Sequence, residues 1–91
     1  MEIKHDPAAG RFYVEIDGSI ASLDYVREDE RTLDLRSTFV PEALRGRGIA
    51  GQIVRHALDY ARSEGLKVIP TCSYVASTIR RNPEFADLVA E

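Results

Sequence analysis

The amino-acid sequence predicts an α+β fold, with strands collected in the first half and helices in the second. Three observations carry this. Apolar residues alternate at period two up to Phe39. Beyond Pro41 the apolar spacing changes to that of an amphipathic helix. A short β-branched run, Val68-Ile69, then follows that helix. Strand, helix and strand make one crossover unit, so the fourth and fifth strands are expected to lie parallel in an otherwise antiparallel sheet. A short second helix closes the chain. Ninety-one residues allow one domain with one modest core, so residues 1–91 are taken together.

An initial strand is expected around Glu2–His5. Asp6-Pro7-Ala8-Ala9-Gly10 separates it from the next and is too short to hold a helix. Phe12, Val14 and Ile16 alternate with Arg11, Tyr13 and Glu15 as a half-buried strand. Asp17-Gly18 is a strong hairpin signal. Ala21, Leu23 and Tyr25 alternate with Ser22 and Asp24 as the returning strand. Arg27-Glu28-Asp29-Glu30 reads as a loop. Leu33, Leu35, Ser37 and Phe39 give the next alternation, and Val40 breaks its phase as a β-bulge would. Ile49, Ala50, Ile53, Val54, Ala57, Leu58 and Ala61 fall on one helical stripe, with Arg55, Asp59 and Arg62 facing away. Gly65 suits the left-handed residue that ends a helix. Leu66–Thr71 reads as a strand and Ser73–Arg81 as a helix with Val75 and Ile79 inward, stopped by Pro83.

A composition of 44% hydrophobic and 30% charged residues excludes global disorder. No apolar run reaches the roughly 18 residues of a membrane span, and the first residues carry no signal-peptide core. A single cysteine, Cys72, excludes an internal disulfide and a paired-cysteine metal site; with no metal expected, a cytoplasmic setting is the default. The net charge of −3 is unevenly placed. Residues 1–35 carry −5, residues 36–81 carry +5 and residues 82–91 carry −3. The basic middle suggests an anionic ligand, while the acidic total argues against a bulk nucleic-acid binder.

The informative stretch is Val40-Pro41-Glu42-Ala43-Leu44-Arg45-Gly46-Arg47-Gly48-Ile49-Ala50. It leaves a strand, turns and opens the long helix. A helix N-terminus carries unpaired N–H groups and partial positive charge, and so attracts phosphate. Gly46 and Gly48 lack Cβ atoms, which permits close approach of an anion. Arg45 and Arg47 put two guanidiniums beside the same spot. A plain turn would also use a glycine, but interleaved arginines favour a phosphate or pyrophosphate site. The Walker pattern G-x-x-x-x-G-K-[ST] is absent, and the spacing of a dinucleotide-binding fold is missing.

With these residues in view, the chain resembles the GNAT N-acetyltransferase superfamily. Arg45-x-x-Gly48-x-Ala50 looks like its R/Q-x-x-G-x-G/A acetyl-CoA loop. Pro70-x-Cys72-x-Tyr74-Val75 and Arg80-Arg81-x-Pro83-Glu84-Phe85 are similar to small single-domain (YjdJ-type) members. The resemblance spans about residues 11–88. It implies a mixed sheet whose fourth and fifth strands splay around acetyl-CoA. It also implies cofactor contacts from Phe39, Val40, Arg45, Gly46, Arg47, Gly48, Ile49, Ala50 and Arg80. Two departures stand out. Residues 6–10 leave no room for the helices that wall the acceptor site in larger members, and Ser37-Thr38 stands where many small members have His-Thr.

Acetyl transfer from a thioester needs a neutral amine, oxyanion donors and a proton for the leaving thiolate. Cys72, between a strand end and a helix start, reads as a nucleophile, a proton donor or a small buried side chain. Tyr74 reads as the acid that protonates the thiolate or as a packed aromatic. Tyr13, Tyr25 and Tyr60 read as packing residues, and His5 and His56 as surface histidines. The expected activity is an acetyl-CoA-dependent N-acetyltransferase. Its open site suits an amine on a protein or peptide, and a monomer or weak homodimer is expected. Two rival readings are a non-catalytic CoA-binding module and a basic-loop RNA or phosphoprotein interaction domain.

Overall fold

A computed structural model describes residues 1–91. Five strands form one sheet in sequential order: β1 (Lys4–Asp6), β2 (Arg11–Ile16), β3 (Ser19–Asp29), β4 (Thr32–Phe39) and β5 (Lys67–Ile69). The first three pairings are antiparallel and β4–β5 is parallel, as the crossover requires. The crossover is α1 (Ile49–Ser63), and α2 (Ser73–Arg81) follows β5. Asp17 and Gly18 both take positive φ, 52° and 80°, which matches the twist of a two-residue hairpin.

One face of the sheet holds the core. Phe12, Val14, Ala21, Leu23, Leu33 and Leu35 are buried there. They meet Ile49, Ile53, Val54, Ala57, Leu58 and Ala61, the inward stripe of α1. Burying each large aliphatic side chain contributes roughly 1.5–3 kcal/mol, so this stripe holds α1 on the sheet more firmly than helix propensity does. Gly65 follows the helix with φ 68°. Val75, Thr78 and Ile79 bury the inner face of α2.

The strands depart from the alternation in four places. Arg27–Asp29 belong to β3 and are not a loop; the reversal is confined to Glu30-Arg31. Arg27 and Asp29 pair with Leu33 and Thr32 of β4 across an unpaired Glu28, while the charged side chains stay in solvent. The phase break lies at Arg36, not Val40. Tyr25 pairs with Leu35 but Asp24 pairs with Ser37, so Arg36 is the extra residue of a bulge. The bulge flips the faces beyond it: Thr38, opposite Leu23, turns toward the core face, and Ser37 and Phe39 turn outward. β5 is only three residues long, because Pro70 has no N–H to donate and Thr71 N–H folds back to Ile69 O at 3.0 Å. β1 starts at Lys4 instead of Glu2.

The chain continues past Pro83 as a 3-10 segment, Pro83–Leu88, whose Phe85 and Leu88 are buried. Arg62 fastens it through two hydrogen bonds to Asp87, at 2.9 and 3.0 Å. That guanidinium holds the Asp87 carboxyl below the usual carboxylate range.

His5 is not a surface histidine. Its ring stacks on Phe12 at 4.1 Å, meets Tyr60 edge-on at 4.5 Å and shares a hydrogen bond with the Tyr25 hydroxyl. Burial lowers its pKa, His56 lowers it further, and Asp6 opposes both. A depressed imidazole favours folding above its unfolded pKa of about 6.5, and that contribution is lost as the pH falls through the folded pKa. Thermal unfolding of the wild type is therefore expected to show a decline below about pH 6.5 that is shallower in His5→Asn. Parallel slopes for the two proteins between pH 7 and 5 would contradict this.

Candidate active site

The chain leaves β4 at Phe39 and makes one 3-10 turn, Glu42–Leu44, before α1. Leu44 is buried and anchors that turn, with its N–H on Pro41 O at 2.9 Å. Arg45 Nε donates to Val40 O at 3.0 Å, clamping the turn back onto the strand end. Gly46 and Gly48 have φ of 81° and 72°, a region that side chains with a Cβ rarely enter. Backbone geometry alone thus favours glycine here. A Cβ at either position would meet no protein atom within 4 Å, so the space beside them is open.

No backbone carbonyl accepts from any N–H between Gly46 and Gly51. The first turn of α1 carries no acidic residue. These donors converge with the positive end of the helix dipole, the arrangement that binds anions.

The donors border a cavity of about 230 Å³. Val40, Leu44, Arg45, Gly46, Gly48, Ile49, Ala50 and Tyr74 line it. Tyr74 comes from the first turn of α2, and its hydroxyl lies 3.4 Å from where a Cβ on Gly51 would stand. Tyr74 thus lies against the first turn of α1 beside Gly51. Further along, Arg55 of α1 donates to Asn82 Oδ1 at the end of α2, at 3.0 Å. The two helices run side by side and present both N-termini near the same opening.

The sheet splits at this end. β4 continues to Phe39, whereas its last pair with β5 is Asp34↔Ile69. Beyond it a single backbone hydrogen bond, Cys72 N–H to Leu35 O at 2.9 Å, spans the gap. The rest of the β4 edge has no strand beside it.

Cys72 occupies the N-cap position of α2, and its Sγ is 3.4 Å from Thr38 Oγ1. Burial pushes the thiol pKa up. The Thr38 hydroxyl and the N–H groups of Val75, Tyr74 and Thr38 outweigh this, and the net shift is downward. No N–H closes a full cap hydrogen bond on the sulfur, so its stabilisation comes from several oriented dipoles together.

The sequence-named residues divide into two groups. Val40, Arg45, Gly46, Gly48, Ile49, Ala50 and Tyr74 surround the cavity. Phe39, Arg47, Arg80 and Cys72 do not line it. Phe39 projects from the opposite face of the sheet and is 58% exposed. Arg47 is exposed in the loop, and Arg80 is exposed in the last turn of α2. Cys72 lies at the split, against Thr38. Three participants escaped the sequence reading: Leu44, Gly51 and the hydroxyl of Thr38. Leu44, two residues before the first loop glycine, is the one large aliphatic residue between Val40 and Ile49 and could have been found. Thr38 could not, because the Arg36 bulge decides which way it points.

The comparisons with known proteins agree with this geometry. Residues 11–88 match the GCN5-related N-acetyl-transferase family. Protein NATD1 of Homo sapiens is 38% identical over 85 residues, covering 91% of this chain and 75% of its own length. Protein NATD1 of Xenopus tropicalis is 36% identical over 85 residues, covering 91% of this chain and 78% of its own. The solution structure of a GCN5-like protein from Staphylococcus aureus superposes with a TM-score of 0.77 at 24% identity. That match covers 98% of this chain and 87% of the other, and it concerns the fold. With the family matched over nearly its whole length, and with the mixed sheet, crossover helix and split β4–β5 edge of that fold, the chain belongs to the GCN5-related N-acetyltransferases.

Proposed function

We propose that this protein binds acetyl-CoA as its donor substrate and transfers the acetyl group to a primary amine. The observation that carries this reading is the run of unpaired N–H groups from Gly46 to Gly51, opening on a cavity that reaches Tyr74. Pyrophosphate suits those donors and the neighbouring guanidiniums of Arg45 and Arg47. The free edge of β4 beyond Leu35 suits an extended pantetheine arm, which can take the place of a missing strand. Family membership supports acetyl-CoA as the donor.

At the thioester end the Cys72 thiolate attacks the acetyl carbonyl. The carbon–sulfur bond to CoA breaks, and the departing thiolate takes a proton from the Tyr74 hydroxyl. The amine then attacks S-acetyl-Cys72, its proton returns to the Tyr74 phenolate, an amide forms, and the cysteine leaves as thiolate. A cysteine thioester and a CoA thioester are nearly equal in energy, so the first step is readily reversible and the amide provides the driving force. The acceptor side is open, which suits an amine carried by a protein or peptide.

Release of free CoA thiol from acetyl-CoA should accelerate when lysine-bearing peptides are added. If CoA binds but no amine raises its release, the protein is a CoA-binding module without turnover. If CoA does not bind while RNA or a phosphopeptide does, the loop serves macromolecular recognition instead.

A further inference from the structure

Asp34 is an ionisable residue with only 8% of its surface exposed, and the proposed chemistry makes no use of it. It lies on the last paired rung of β4 and β5, opposite Ile69, where the sheet begins to split. The alternation of β4 places it on the outer face, since Leu33 and Leu35 on either side are buried in the core. Thr71 donates its hydroxyl to Asp34 Oδ1 at 2.5 Å, and Arg36 Nη1 stands 3.7 Å from Oδ2. The guanidinium faces the carboxylate from the bulge that also turns Thr38 inward.

We infer that Asp34 is a positioning residue for Cys72, acting through the Thr71 hydroxyl. This rests on the proposed role of the Cys72 thiol. Consecutive residues of an extended turn project to opposite sides, so Thr71 reaches the outer face while Cys72 reaches Thr38 on the inner one. Two adjacent links hold this turn to β4: the hydroxyl–carboxylate bond from Thr71 to Asp34, and the amide bond from Cys72 to Leu35. The first is charge-assisted, and such bonds are roughly twice as strong as neutral ones. With Pro70 unable to donate and β5 finished at Ile69, the only other hydrogen bond from β4 to this turn is the long one between Thr38 Oγ1 and Cys72 Sγ, at 3.4 Å. Releasing Thr71 leaves the turn held to β4 by the Cys72–Leu35 amide bond and the long sulfur–hydroxyl contact alone. The sulfur then drifts from the Thr38 hydroxyl and from the N–H groups of α2. No charged side chain contributes to the thiol's shift, so its acidity reports directly on this placement.

The test is the pH–rate profile of Cys72 alkylation by iodoacetamide, which needs no CoA. Thr71 is exposed, so Thr71→Val should fold. Its alkylation midpoint should move up by about one pH unit, a roughly tenfold loss of thiolate at neutral pH. Thr71→Ser keeps the hydroxyl and should retain the wild-type midpoint. Asp34→Asn keeps an acceptor oxygen and should fall between the two. A wild-type midpoint in Thr71→Val overturns the assignment, as does an equal shift in Thr71→Ser. Should Thr71→Val misfold, Thr71→Ala makes the same comparison. The thermal response to CoA is measured alongside. Loss of that response in the wild type would sink the proposed function, while the thiol profiles would still decide the role of Asp34.

Discussion

Millimolar CoA is expected to raise the unfolding temperature of the wild-type protein and to leave that of Gly48→Asn unchanged. Free ligand at 100 times its dissociation constant stabilises a fold by about 2.7 kcal/mol. For a domain of this size that is a rise on the order of 10 °C. The choice of asparagine follows from the backbone. Gly48 has φ 72°, so valine or alanine would strain the turn and confuse loss of binding with loss of folding. Asparagine tolerates this conformation better than other side chains. Its Cβ would meet no protein atom within 4 Å, so it occupies only the space an anion would use. A full CoA response in a folded Gly48→Asn protein would mean that pyrophosphate does not sit against this backbone.

Incubation with acetyl-CoA and no acceptor should add one acetyl group to the wild-type protein. Hydroxylamine should remove it, and Cys72→Ala should never acquire it. The reason is the balance at the sulfur, where partial burial raises the thiol pKa and four hydrogen-bonding groups bring it back below the ordinary value. A thiolate accessible at neutral pH is the competent nucleophile. Intact-protein mass spectrometry reads the adduct. Amine-dependent turnover by Cys72→Ala should fall by at least about 100-fold, since removing a nucleophile removes both covalent steps. Unimpaired turnover by Cys72→Ala, without any adduct on the wild type, would make Cys72 a packing residue and transfer direct.

Local sequence carried most of the fold. The alternation through Phe12, Val14 and Ile16 and the Asp17-Gly18 reversal fall where the β2–β3 hairpin lies. The stripe from Ile49 to Ala61 is the buried face of α1. The geometry of the loop between β4 and α1 was legible for the same reason. Glycines with positive φ and a helix start are local features, and seven of the sequence-named residues gather around one cavity.

Other features had no local signal. An acidic run such as Arg27–Glu30 looks like a loop in one dimension, and only pairing with β4 makes it strand. His5 looked exposed because its neighbours Phe12, Tyr25 and Tyr60 come from three other elements. Arg80 matched a family pattern, yet it stands in the last turn of α2 and does not line the cavity.

What the sequence determined by itself is therefore the order of elements, the inward face of α1 and the glycine-bearing turn that opens it. Hydrophobic period, turn residues and helix termini depend on near neighbours in the chain, so they can be read along it. The tertiary structure alone decided which side chains meet Cys72. A single extra residue at Arg36 reverses the faces of β4, brings Thr38 to the sulfur and sends Phe39 to the opposite surface. The clasp between Asp34 and Thr71 joins residues 37 positions apart. Strand register and the point where two strands part are set by long-range pairing, and the sequence of either strand alone does not contain them.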